Sequence, residues 1–145
     1  MPVIHREARV PYTPRQMFEL VNDVEAYPRF LPWCGGARVL RDEGDAVWAT
    51  VVIARGSLRK AFTTVNRVQP GKMIEIRLVE GPFRRLEGFW RFDEAAGGGC
   101  RVCLDLEFEF AGRVVSLALG PVFHQIAQTL VEAFCRRAEE VYGRG

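Results

Sequence analysis

Acid–base chemistry near neutral pH needs a histidine or carboxylate in a defended position, and this sequence supplies two histidines, His5 and His124. His5 sits in an alternating run beside Arg6 and Glu7, the setting of a solvated strand residue. His124 follows Phe123 at the start of an apolar stripe with helical spacing. It is expected at a cavity mouth, where it would hydrogen-bond a quinone or ketone oxygen; a polar flank position is the plainer alternative. Four cysteines stand at 34, 100, 103 and 135. Cys100 and Cys103 have metal-site spacing, but they lie in an alternating strand pattern, where residues three apart point to opposite faces. Their sulfurs are therefore not expected to converge on an ion, and in a reducing compartment all four should remain packing thiols. There is no Ser/His/Asp order, no paired-carboxylate motif, and Gly97–Gly99 reads as a hairpin tip rather than a phosphate cradle. No catalytic residue and no metal site are expected.

The less generic residues are apolar. Tyr27-Pro28-Arg29-Phe30-Leu31-Pro32-Trp33-Cys34-Gly35 is kept irregular by two prolines while carrying a load of aromatic and aliphatic side chains that is unusual for a loop. It reads either as a gate for an apolar ligand or membrane surface, or as a core plug beneath a helix. Gly81-Pro82-Phe83 with Trp90 reads as a second aromatic cluster. Basic residues gather at Arg55, Arg59 and Lys60 around one turn and at Arg84 and Arg85 on another, where they could touch phosphates. The net charge of +2 is too small to imply nucleic acid by itself, and DNA is not an expected partner.

The elements that must position these residues follow from periodicity. The 145 residues contain no linker or low-complexity run, so one domain spanning 1–145 is expected. The opening decapeptide has neither a signal-peptide core nor a membrane span, which suggests a cytoplasmic protein, peripheral to a membrane if the loop meets one. Residues 3–10 alternate as a strand; Thr13-Pro14 then offers an N-cap and first helical position, and two short helices should follow. From residue 37 on, turn signals separate strands at 37–40, 47–53, 58–68, 73–79, 86–92 and 101–110, making seven with the first. Connections this short require antiparallel neighbours. Leu119, Phe123, Ile126, Ala127, Leu130, Phe134, Ala138 and Val141 then repeat at helical spacing, with Gly120-Pro121 near the expected start of one long helix. The reading is an α+β fold, a curved antiparallel sheet gripping that helix over an apolar gap.

Val10-Pro11-Tyr12, Met17-Phe18, the proline-flanked loop, Gly81-Pro82-Phe83, Trp90-Arg91-Phe92 and Phe134-Cys135-Arg136-Arg137-Ala138 together resemble a branch of the START-like, helix-grip superfamily. That branch is the coenzyme Q-binding and polyketide cyclase/dehydrase family, which includes bacterial ribosome-association toxins of the RatA type. The resemblance covers nearly the whole chain. It implies a hydrophobic tunnel between sheet and last helix that binds ubiquinone, as ligand rather than cofactor, in support of respiration. The tunnel would be lined by Phe30, Leu31, Trp33, Phe62, Phe83, Trp90, Phe123, His124 and Leu130. The toxin-like members imply a rival role, binding the large ribosomal subunit and blocking subunit joining, with Arg55, Arg59, Lys60, Arg84 and Arg85 against rRNA. A cyclase-like enzyme ranks third, because no acid or base beyond His124 and Glu80 suggests itself.

Overall fold

The computed structural model describes residues 3–143. The chain begins with strand β1 (Val3–Val10), followed by helix α1 (Pro14–Asn22) and a 3₁₀ segment (Val24–Arg29). Six strands come next: β2 (Cys34–Asp42), β3 (Ala46–Arg55), β4 (Leu58–Gln69), β5 (Met73–Glu80), β6 (Phe83–Glu94) and β7 (Cys100–Phe110). Helix α2 (Arg113–Tyr142) closes the fold. The seven strands form one sheet in the order β1-β7-β6-β5-β4-β3-β2, antiparallel at every pairing.

Local chemistry explains the start of α1. The Thr13 hydroxyl accepts from the Gln16 amide at 3.1 Å, and the Gln16 side chain accepts from the Thr13 amide at 2.8 Å. Two of the helix's otherwise orphaned donors are satisfied in this way, and Pro14 needs none. The short helix then buries Met17, Phe18 and Val21 against the sheet core.

Three elements start three or more residues before their sequence-based bounds, β6 among them, at Phe83 rather than 86. β2 runs from Cys34 rather than Ala37, because its pairing with β3 shifts register between Cys34 and Gly36 and again between Val39 and Arg41. Each irregularity breaks the period-two signal that marks a strand. α2 begins at Arg113, some six residues before its buried stripe, and carries Pro121 inside it. Val114 and Leu117 in that first part are 81% and 75% exposed, so the amphipathic pattern starts only at Leu119. Val141, assigned to the stripe from its spacing, is also exposed.

The sheet curves over α2, with register shifts in the β4–β5 and β6–β7 pairings as well. Where β6 crosses β7 the backbones approach so closely that a Cβ on Gly88 would lie 2.1 Å from the Asp105 carbonyl oxygen, so only glycine fits there. The core lies between the concave face and the helix side bearing Leu119, Phe123, Ile126, Ala127, Val131, Phe134 and Ala138. At the far end of α2 the Tyr142 hydroxyl donates to the Gln16 carbonyl at 2.9 Å, which ties it to α1.

Candidate functional site

Period-two alternation puts Ala49, Val51 and Ile53 of β3, Phe62, Thr64 and Asn66 of β4, and Ile74 and Ile76 of β5 on the concave face. These residues, with Leu86 and Trp90 of β6 and Leu106 of β7, wall a cavity of about 100 Å³. Phe123, Ile126, Ala127 and Leu130 of α2 close it from above, and Val21, Val24, Tyr27 and Trp33 close its side. The lining contains no Asp, Glu, His, Lys, Arg or Cys. Its titratable group is the Tyr27 phenol, which burial pushes upward and which donates its proton to the Val21 carbonyl. A neutral phenol with its proton already committed is a poor acid or base near neutral pH. Asn66 is different. Its carbonyl oxygen accepts from the Thr64 hydroxyl at 3.0 Å, which leaves its amide nitrogen as a donor at an otherwise apolar wall.

Of the residues expected to line a tunnel, Trp33, Phe62, Trp90, Phe123 and Leu130 do border this cavity; Phe30, Leu31, Phe83 and His124 do not. Leu31 is 1% exposed and packs with Val24, Cys34, Ala49 and Val51, so that part of the proline-flanked loop is a core plug. Phe30 lies edge-on to Tyr27 and Phe134. Phe83 stands behind the lining, with ring centroids 5.6 Å from Phe62 and 4.9 Å from Phe123. Phe83 and Trp90 therefore belong to separate ring groups, since Trp90 packs on Phe92 and Phe134. His124 is exposed and reaches only the edge of Phe108, because it lies next to, not on, the buried stripe. Among the lining residues not expected from the sequence are the hydrogen-bonded pair Thr64 and Asn66. They stand two and four positions beyond Phe62 on the same strand face, the spacing that could have found them.

A second hollow adjoins the first. An open groove of about 810 Å³ runs along the outer side of α2, between the Phe30–Trp33 loop and the end of β3. Trp33 and Ile126 border both spaces and form the wall between them. Arg55, Arg136 and Arg137 line the groove; Arg55 donates to the Gln125 side chain at 2.7 Å, and Arg137 lies 5.0 Å over the Phe30 ring.

The two basic turns differ in their partners. Arg84 pairs with Glu109 at 3.2 Å, and Arg85 pairs with Glu87 and, at 3.5 Å, Glu107, so the charge of that turn is neutralised on the sheet's outer face. Arg55, Arg59 and Lys60 are exposed and have no carboxylate partner among the described residues. The cysteines are free thiols, and burial raises each one's pKa, that of Cys100 to about 12. Cys100 faces the core, whereas Cys103 faces Glu7 on the opposite side. Among the described residues no cluster of three metal-ligating side chains occurs.

An apolar cavity under a gripped helix is the arrangement of a lipid-binding fold, and the sequence agrees: residues 10–135 match the polyketide cyclase / dehydrase and lipid transport family. The chain belongs to this family. Among its relatives is the ribosome association toxin RatA of Pseudomonas aeruginosa, 46% identical over 97% of each chain. The mitochondrial coenzyme Q-binding protein coq10 of Schizosaccharomyces pombe is 27% identical, over 93% of this chain and 86% of its own. A START superfamily protein from Mycobacterium smegmatis shares the fold at 19% identity, with a TM-score of 0.71 over 96% of this chain and 98% of the other. The family's hydrophobic-ligand-binding, START-like architecture is therefore the frame in which this cavity stands.

Proposed function

We propose that this chain binds a neutral polyisoprenoid quinone, ubiquinone or a close analogue, and acts as a carrier rather than an enzyme. The observation that carries the reading is the cavity wall, free of charged side chains, in which the Thr64 hydroxyl is committed to Asn66 and the Tyr27 phenol to Val21, leaving the Asn66 amide as a donor suited to a quinone carbonyl. Each methylene-sized group transferred from water to such a wall contributes about 0.8 kcal/mol, so no charged partner is required. At about 100 Å³ the cavity lies below the roughly 300–1,000 Å³ of ordinary small-molecule pockets, so a quinone ring enters only as the Trp33–Ile126 wall gives way and its tail follows through the groove. The similarity to a coenzyme Q-binding protein supports the choice of ligand. Titration with a short-tailed ubiquinone, followed by tryptophan quenching, tests it. Saturable binding that weakens in Asn66→Leu is the expected result, and a wild-type protein that does not bind would end the reading.

A second reading, association with the large ribosomal subunit, is favoured by the identity to ribosome association toxins and by Arg55, Arg59 and Lys60, which have no carboxylate partner among the described residues. It needs a surface rather than the cavity, so both roles can belong to one chain. Under this reading Arg59→Glu with Lys60→Glu abolishes co-sedimentation with large subunits, and the wild-type interaction weakens steeply as salt rises. Undiminished co-sedimentation of the double variant would remove the hairpin from that role.

A further inference from the structure

We infer that the open groove beside α2 docks an extended acidic segment of a partner protein, with one carboxylate at Arg55, a second at Arg136, and small apolar side chains between them. Neither of the readings above is needed for it, although a quinone tail in the groove would compete with the segment.

One bank of the groove is regular. Gln125, Thr129, Ala133, Arg136 and Glu140 recur at three- or four-residue intervals and form one stripe along α2, facing the Phe30–Trp33 loop and the end of β3. Arg55 donates to Gln125 at 2.7 Å at one end of the stripe, Arg136 stands toward the other, and Thr129 and Ala133 lie between. Gln125 and Arg136 are eleven residues apart in the helix, about 16 Å at roughly 1.5 Å per residue. No single small anion spans that distance. An extended chain advances about 3.3 Å per residue, so carboxylates about five residues apart reach both arginines.

Charge and floor set the class of occupant. The groove presents three arginines against one carboxylate, Glu140, which calls for an anion. Arg137 is paired with Glu140 at 3.2 Å and lies over the Phe30 ring, which fixes it as a wall. Arg136 is exposed and has no partner among the described residues, and the neutral Gln125 that holds Arg55 is one a carboxylate can replace. Between these two arginines the floor is largely aliphatic, with Pro32, Ala54 and Ala133. Of the two rings in the lining, Phe30 is covered by Arg137, which leaves Trp33 for base stacking, and Glu140 stands in line to repel a continuous phosphate backbone. Discrete carboxylates avoid Glu140, and side chains of leucine size rest on an aliphatic floor.

The test is an amide NMR titration of the full chain with the synthetic peptide acetyl-Asp-Ser-Leu-Ser-Leu-Asp-amide, its analogue with Asn in place of both Asp, and an isomer with both Asp at its start. The first peptide is expected to shift amides around Arg55 and along the 125–137 stretch. It should bind about tenfold or more tightly than the Asn analogue, the scale of one charge-assisted hydrogen bond, with the isomer between them. Arg55→Gln and Arg136→Gln should each weaken the first peptide by about tenfold and leave the Asn analogue unchanged. Equal affinity of the first peptide and the Asn analogue, or no binding by either, overturns the inference. An isomer as tight as the first peptide would overturn docking at two ends. Undiminished affinity in both variants would place the peptide outside the groove. Hexauridylate that shifts the same amides at least as tightly would give the groove to RNA, and shifts that follow chain concentration alone would give it to a second copy of this chain.

Discussion

At one end of the cavity Phe83, Phe108 and Phe110 close around Phe123 with ring centroids 4.8 to 6.0 Å away; at the other, Trp33 stands half-buried with no ring partner among the described residues. Interlocked rings lose several contacts together if any one of them moves, whereas Trp33 can swing outward into a groove that is already open. Under the proposed carrier function, ligand exchange is expected at the Trp33 end. Charge is divided along a similar line. Arg84 and Arg85 are held by Glu109, Glu87 and Glu107, while Arg55, Arg59 and Lys60, on the hairpin nearer Trp33, have no carboxylate partner among the described residues.

The sharpest way to break this comparison is to truncate one residue from each end. Phe123→Ala removes a ring 4% exposed and surrounded by others, and is expected to cost about 3 to 5 kcal/mol in urea unfolding, the range for a buried aromatic. Trp33→Ala, at a half-buried position, should cost roughly 1 to 2 kcal/mol and should accelerate release of a bound short-tailed quinone in stopped-flow fluorescence. Equal stability losses at the two positions would mean that both ends are core. Slower release from the Trp33 variant would place the gate elsewhere.

How much of this was legible in the sequence depended on whether one physical signal acted alone. Thr13-Pro14 announced α1, and short polar turns delimited the strands from β3 to β7, because capping and turn chemistry are local. β2 was truncated in the reading because its two register shifts scramble alternation, and α2 was started late because Val114 and Leu117 lie outside the buried stripe. The smaller part of the site was visible as aromatic residues, but aromaticity does not say which ring borders a void and which fills it. Phe83 and Phe123 both pack against Phe62, and only the curvature of the sheet puts one behind the wall and the other on it. The ion pairs of Arg84 and Arg85 were likewise hidden, since their partners Glu107 and Glu109 come from a different strand.

The outer face gives a smaller effect that sharpens the charge half of the comparison. Arg84→Gln with Arg85→Gln removes exposed ion pairs, so the expected loss of stability is smaller than that of the Phe123 and Trp33 substitutions and shrinks further with salt. Large-subunit co-sedimentation should be unaffected by this pair and lost in Arg59→Glu with Lys60→Glu. The reverse pattern would relocate the basic surface to the β6 side.

The smallest effect concerns His5, which sits on that outer face with Nδ1 2.6 Å from Asp105 and Nε2 3.4 Å from Glu7. The hydrogen bond to Asp105 first, then its charge, and then Glu7 raise the histidine's pKa above its ordinary value. The imidazolium is therefore favoured in the folded chain relative to the unfolded one. By linkage, its contribution is fully present below the unfolded value of about 6.5 and is lost as pH rises through the higher folded value. A proton NMR titration should give a midpoint above about 6.5 that falls in Asp105→Asn. The stability difference between wild type and His5→Gln should be greatest on the acid side of that midpoint and fade on the alkaline side. Quinone affinity should stay flat across the same range, because the cavity lining has no carboxylate, imidazole or thiol, and its one phenol is pushed upward by burial. An affinity that followed the His5 titration would couple the outer face to the cavity and undo the separation between the two.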